Sequence, residues 1–388
     1  MRPPLSETTE YLLAVLRAVL NGTAAPLPGD GLDWEQFYTA ASLHTLAPMV
    51  YHGIYDLGLP EDKLARFTDA HRANMLTFAQ QNTEIIRISA ALEEAGIEYC
   101  PLKGCYTREL YPDPSMRVMC DIDMLIHDSD REKVREAMER IGYECARFGG
   151  DLDDKYKRGR VIVEMHNRLD AGGLKDPSYY DDPWRLTESV SAFCRRLTPV
   201  HEYLYTIAHA LKHLVYSGMG LRIPMDIYLY LTRFDFDREE AEAEAVKMGV
   251  SKFMHCMERI ALAAFGDGEF DEDTALVFMF ILQDGHGESF ETHESSQMIK
   301  SSAGRHKVSR AGYLLRQVFP PLEDMRWREP VLNKAPILLP AMYVKRWFQL
   351  VFTMRDRLSS GLQRISSADT ETAERVKRIY EIAGVNQG

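Results

Sequence analysis

The chain has 388 residues, 45% of them hydrophobic, 27% charged and 10% aromatic, so it is long enough for two or three domains and too apolar to stay disordered. Lys and Arg number 46 against 58 Asp and Glu, and the formal net charge of −12 provides no general field for nucleic acid or an anionic membrane. Six scattered cysteines without a C-x-x-C pair fit neither a zinc ribbon nor a disulfide framework; with no signal-like N-terminus and no apolar run of bilayer length, a reduced, cytoplasmic protein without a transmembrane segment is expected.

Apolar residues recur every three and four positions over 8–20 and 34–58, which predicts amphipathic helices, and a longer helix over 64–95 stops at Gly96. The texture then changes. Short apolar runs at 97–102 and 121–126 predict two strands, 128–141 a helix capped by Asp128 or Ser129 and stopped at Gly142, and 143–148 and 161–166 two more strands. From Asp182 onward strand signals nearly vanish, and helical spacing marks 199–217, 224–234, 238–248, 252–265 and 274–282. The polar stretch near 284–312 reads as a long mobile loop, with helical pattern returning at 312–318, 340–357 and 370–383. The expected organisation is α+β: an N-terminal helical region over 1–80, a small mixed sheet with packed helices over 81–180, and a helical domain over 181–388.

Chemistry concentrates in the middle region. On a strand, residues two apart share a face, so Asp121 and Asp123 set two carboxylates side by side, an arrangement suited to a hard divalent cation such as Mg²⁺ or Mn²⁺. Glu164 is the only acid in the apolar run Val161-Ile162-Val163-Glu164-Met165-His166, and His166 shares its face. Three acids from two strands can hold two metals for an in-line transfer, with Asp121 and Asp123 contacting both ions and Glu164 the first.

Lys103-Gly104, then Tyr111-Pro112-Asp113-Pro114-Ser115-Met116-Arg117, then Asp121-Ile122-Asp123-Met124-Leu125-Ile126, then Val163-Glu164-Met165-His166-Asn167-Arg168-Leu169 together resemble an uncharacterised bacterial nucleotidyltransferase family related to the polymerase-beta-type superfold. The resemblance implies a nucleotidyltransferase core over 81–180 in which Gly104-Cys105 takes the place of the phosphate-cradling turn, Asp121 and Asp123 form the metal-binding strand pair, and Glu164 is the third acid. Lys103-Gly104-Cys105 departs from the more usual Gly-Gly or Gly-Ser. On this reading Lys103 and Arg117 neutralise triphosphate charge, the Gly104 amide contacts phosphate directly, and His166 lies at the nucleotide. The similarity extends to 33–51, to 205–226 and to 335–346.

His209 and His213 have the i, i+4 spacing of a zinc pair but no H-E-x-x-H, so a polar pairing of one histidine with Asp226, bracing the helical half against the cleft, is the favoured reading. The resemblance adds Arg222 and Asp226 to these histidines as cleft support. The expected reaction moves a nucleoside monophosphate from an NTP such as ATP to an acceptor, with release of pyrophosphate. The acidic chain favours a small-molecule, peptide or protein acceptor over long nucleic acid. The rival readings are a catalytically silent nucleotide- or partner-binding module on the same fold and a D-x-D glycosyltransferase.

Overall fold

A computed structural model of the protein describes residues 5–284 apart from 171, 173 and 217, short stretches between 319 and 345, and residues 370–385. The chain divides into two compact units, residues 1–288 with 382–385 and residues 289–381 with 386–388. The N-terminal helices, the mixed sheet and the helical half as far as residue 284 all fall in the first unit. Beyond Asp284, the segment expected as a long loop lies outside the described residues. Among the described residues no helix is long and apolar enough to cross a membrane.

Helix α1 (Glu7–Asn21) starts where the Ser6 hydroxyl accepts the Thr9 N–H at 3.2 Å and stops at Gly22, whose φ of 65° suits a residue without a Cβ. Its buried face carries Leu12, Val15, Leu16 and Val19 and meets α3 (Ala47–Ile54) so closely that a Cβ on Gly53 would lie 2.6 Å from Val15 Cγ1. Between them, α2 (Trp34–Leu43) is capped by the Asp33 carboxylate, which accepts the N–H groups of Glu35 and Gln36 at 3.0 Å.

Helix α4 (Glu61–Glu94) runs 34 residues, about 51 Å at ~1.5 Å per residue. Near its start Phe67 packs on Phe37, with ring centroids 5.3 Å apart. Near its end Ile88 and Leu92 sit under the sheet. No residue of 68–80 is buried. Gln81 and Glu84, although polar, are buried because each is bonded: Gln81 Nε2 donates to the Met119 carbonyl at 3.0 Å, and Glu84 accepts from Tyr143 Oη at 2.9 Å and from Arg158. The chain leaves α4 through Gly96 (φ 66°), and the Ile97 N–H reaches back to the Leu92 carbonyl at 2.9 Å.

Five strands follow: β1 (Tyr99–Pro101), β2 (Ile122–Ile126), β3 (Glu144–Arg147), β4 (Asp153–Arg158) and β5 (Val161–His166), in the spatial order β1-β2-β5-β4-β3. Only β2 and β5 run parallel; the other neighbours are antiparallel. A short helix, α5 (Gly104–Thr107), follows β1, and α6 (Arg131–Arg140) connects β2 to β3. Strand pleating sends Ile122, Met124, Ile126, Val163, Met165 and Tyr156 into one core with α4 and α6. Each such buried aliphatic side chain contributes roughly 1.5–3 kcal/mol, so this packing fixes the register that aims the alternate residues at the opposite face.

The expected strands at 97–102, 121–126, 143–148 and 161–166 correspond to β1, β2, β3 and β5, whereas β4 was not anticipated. Its residues Asp153-Asp154-Lys155-Tyr156-Lys157-Arg158 carry one apolar side chain, because Asp154 replaces core packing with a buried two-bond pairing to Arg131, at 2.9 Å and 2.6 Å. The cap of α6 also differs: Asp130, not Asp128 or Ser129, precedes the helix, and it makes no side-chain cap bond. A hairpin of β6 (Thr187–Ser189) and β7 (Arg195–Leu197) was likewise unanticipated; just before β7 the Phe193 carbonyl accepts the Tyr99 N–H at 2.9 Å, which covers the outer side of β1. The helical half comprises α7 (Pro199–Tyr216), α8 (Arg222–Arg233), α9 (Arg238–Met248), α10 (Ser251–Phe265) and α11 (Glu272–Asp284), close to the expected spans. A further helix at Thr370–Ile382 agrees with the expected 370–383.

His44, at the end of α2, is 2% exposed; its Nδ1 accepts the Leu221 N–H at 3.3 Å, and the ring also hydrogen-bonds the Leu282 backbone. Burial pushes its pKa from 6.5 down to about 4. The unfolded chain therefore takes up a proton near pH 6.5 that the folded chain refuses until about pH 4, so this contribution is intact above pH 6.5 and is lost as the pH falls through that window. Urea unfolding at pH 7.5 and 4.5 should show wild type losing up to about 3 kcal/mol more than His44→Gln. Equal losses in the two proteins would mean that His44 titrates normally.

Candidate active site

Because β2 and β5 are parallel neighbours, Asp123 pairs in register with Glu164, and the pleat turns both away from the α4/α6 core, with His166 two residues on. His166 Nε2 lies 2.6 Å from Asp123 Oδ1 and 3.8 Å from Glu164 Oε2. One ligand atom from each of the three falls within 4.8 Å of the others, and among the described residues no other group of three or more His, Cys, Asp or Glu side chains does so. On Mg²⁺ at ~2.1 Å adjacent ligands stand ~3.0 Å and opposed ones ~4.2 Å apart, so the carboxylates need only a small shift to share an ion, whereas the 2.6 Å His166–Asp123 contact is a hydrogen bond closer than two ligands of one ion. Asp121, at the bend before β2, is outside that triplet but beside it. Its carboxyl is pushed up to about 6, first by burial and then by the negative charges of Asp123 and Glu164.

Asp123 is the electrostatic hub. Burial alone would raise its pKa, but the Lys103 ammonium at 3.0 Å and His166 hold the carboxyl well below the usual carboxylate range. Lys103 reaches this position from a backbone with φ 47° and ψ −117°, a conformation glycine tolerates and a lysine adopts only under strain of about 1–3 kcal/mol. The turn offsets that strain by satisfying one carbonyl three times: Lys103 O accepts from Tyr106 N, Thr107 N and Thr107 Oγ1, each at 3.0 Å.

The neighbouring Gly104 is required sterically. A Cβ there would lie 2.6 Å from Arg117 Nη1 and 2.9 Å from Met119 Cγ, and Arg117 is held in place by its two bonds to Asp226. Gly104→Ala should therefore lower stability by about 1–3 kcal/mol, read as a lower urea midpoint; an unchanged midpoint would mean the turn is loosely packed. The thiol of Cys105 packs into the sheet core, 4.0 Å from the Asp123 carbonyl, and burial, followed by the Asp123 charge, pushes its pKa up to about 12. Its N–H already donates to the Leu102 carbonyl at 3.2 Å, so neither thiol nor amide is left to donate to the nucleotide expected at Cys105.

Arg117, expected to neutralise triphosphate charge, is engaged by an acid of the helical half. Its Nε and Nη2 donate to Asp226 Oδ1 and Oδ2 at 2.9 Å and 2.7 Å, Tyr111 Oη donates to the same carboxylate at 2.7 Å, and Nη1 rests against Gly104. Asp226 is thus engaged by Arg117 and Tyr111, not by a histidine. Arg222 Nη1 donates to the Val118 carbonyl at 2.8 Å, a second tie from α8 to the segment before β2. His209 and His213 pair with each other instead, their Nε2 atoms 2.9 Å apart. Since the Gly218 carbonyl can only accept from His213 Nδ1, at 3.2 Å, His213 Nε2 is the acceptor and His209 Nε2 the donor. Burial lowers both pKa values, His213 to about 4, and the Lys103 charge adds to the effect at His209, which places α7 alongside the site.

Two further groups near the cluster were not anticipated. Lys155 of β4 lies in register with Glu164 and puts Nζ 2.7 Å from Glu164 Oε1. Tyr205, one turn before His209 on α7, is close enough for the Lys103 and Asp123 charges to act on its phenol, whose pKa is pushed up to about 12 chiefly by burial. Only the alternation of Lys155 and Lys157 about Tyr156 could have signalled the first, and the i, i+4 spacing of Tyr205 and His209 the second.

A small mixed sheet whose central parallel pair presents facing acids beside a Lys-Gly turn defines a nucleotidyltransferase core. The chain belongs to a family described as uncharacterised nucleotidyltransferase, matched over residues 30–266, and its general role is nucleotidyl transfer. That match includes the segments 33–51 and 205–226 and ends before 335–346. No curated protein and no solved structure matches the chain.

Proposed function

We propose that the protein is a divalent-metal-dependent enzyme that moves a nucleoside monophosphate from an NTP to an acceptor hydroxyl or phosphate. The acceptor oxygen attacks the α-phosphorus, the bond to the bridging oxygen breaks, and pyrophosphate leaves. The observation that carries this reading is the facing of Asp123 and Glu164 across the parallel β2–β5 pair, with His166 on the same face and Asp121 adjacent. Carboxylate oxygens suit Mg²⁺ or Mn²⁺, and Asp121, Asp123 and Glu164 are the residues that would hold it, with His166 hydrogen-bonded to Asp123 beside them. Such an ion supplies electrostatic stabilisation to the triphosphate as charge develops on it.

The chain's own groups do the positioning. Lys103 and His166 fix the Asp123 carboxylate, and the Arg117–Asp226 pair holds the Gly104 turn, whose amide is the proposed phosphate contact. The net charge of −12 favours a small molecule, peptide or protein as acceptor. The unpaired cysteines fit a reducing, cytoplasmic setting.

A second reading, a silent nucleotide-binding module, draws on the fact that Asp123 and Glu164 each already carry a lysine ammonium. The glycosyltransferase reading has no support beyond the D-x-D motif. Incubation with Mg²⁺ or Mn²⁺, each labelled NTP, and panels of small polar molecules, peptides and the protein itself should give pyrophosphate release and label transfer with at least one combination. Nucleotide binding without pyrophosphate release across all combinations would establish the silent module instead.

A further inference from the structure

Both carboxylates at the centre of the site are already neutralised by lysines, but the two lysines are held very differently. Lys103 is 16% exposed and its ammonium lies against Asp123, itself 7% exposed, so it has little open solvent to swing into. Lys155 is 38% exposed, sits in a regular stretch of β4, and reaches Glu164 Oε1 at 2.7 Å across one strand pair. Its four-carbon stem can swing without disturbing the backbone. The two ammonium groups therefore divide into a fixed one and a releasable one.

From this we propose that Lys155 is an exchangeable counter-ion: it occupies the Glu164 carboxylate until a divalent cation displaces it, and the released ammonium then grips the phosphates of the incoming nucleotide. The proposal rests on the metal-dependent reading of the same site. The Lys155 ammonium on Glu164 Oε1 puts a positive charge beside the carboxylate whose Oε2 lies 3.8 Å from His166, so by charge the lysine competes with a metal for Glu164. The displaced ammonium, tethered beside the metal on the same sheet face, is placed where a triphosphate brings negative charge. Metal and lysine thus trade partners without leaving Glu164 or the nucleotide uncompensated. Lys155 is by this account a binding residue for phosphate and a regulator of metal entry, a role that a simple surface ion pair does not have.

The test uses the full-length protein and reads binding, not turnover. Free Mn²⁺ is titrated by electron paramagnetic resonance without nucleotide, and ATP affinity is then measured at saturating Mn²⁺. Lys155→Met should bind Mn²⁺ about five- to tenfold more tightly than wild type, since the competing ion pair is gone, yet bind ATP about fivefold more weakly. Lys155→Arg, which retains the charge, should return both values toward wild type. Coincident circular dichroism spectra and thermal midpoints for the three proteins keep the comparison among folded chains. Mn²⁺ affinity unchanged or weakened in Lys155→Met, or ATP affinity unchanged, overturns the exchange. A protein with the expected affinities that transfers no nucleotide would instead refute the enzymatic reading and leave the exchange standing.

Discussion

Asp123→Asn is expected to reduce nucleotidyl transfer by about 10³-fold, because the hub of the site loses the charge on which a divalent ion, Lys103 and His166 all converge. The substitution keeps shape and volume, so the loss is electrostatic. It also leaves the Lys103 ammonium buried without its counter-ion, which should lower stability by up to about 3–5 kcal/mol. The two consequences separate in the double variant Lys103→Met/Asp123→Asn, which should recover most of the thermal midpoint and none of the activity. Pyrophosphate release and thermal unfolding read the two arms. Asp123→Asn retaining activity within tenfold of wild type would remove this carboxylate from the chemistry.

The largest purely structural effect is expected at Asp226, whose side chain is 4% exposed and accepts from Arg117 twice and from Tyr111 once. Asp226→Ala leaves a buried guanidinium and a buried phenol without an acceptor and should cost about 3–5 kcal/mol in urea unfolding. The pair Arg117→Met/Asp226→Leu, which replaces the charges by apolar volume, should recover much of that loss. Transfer activity of the double variant should remain reduced, because Arg117 Nη1 no longer buttresses Gly104. A loss below about 1 kcal/mol in Asp226→Ala would mean that the pairing is solvated and contributes little.

These two residues also mark how far the sequence could be read. Asp121-x-Asp123 and Glu164 were legible because strand pleating is local, and two hydrophobic strands with their single acids carry the facing arrangement in their own spacing. The helices were legible for the same reason: the glycines at 96 and 142 take positive φ where the periodic stretches end. The Arg117–Asp226 pair was illegible because its partners lie 109 residues apart, in the segment before β2 and in α8. Strand β4 was illegible because its core side spends one position on the Arg131–Asp154 pair, which erases the alternation of apolar residues that identifies a strand. With β4 went Lys155. The three-residue strands β6 and β7 are too short to show any period.

The long helix α4 joins two packing sites, Phe67 against Phe37 at one end and Ile88 with Leu92 under the sheet at the other, through a stretch, 68–80, in which no residue is fully buried. Each residue inserted or deleted there turns one end relative to the other by ~100° and slides it by ~1.5 Å, so neither mismatch can be absorbed by loop slack. The stretch therefore behaves as a ruler whose length is fixed by the two sockets it must reach at once, with His71 stacked on Tyr51 and Asn74 bonded to the Ser115 carbonyl holding it along the way.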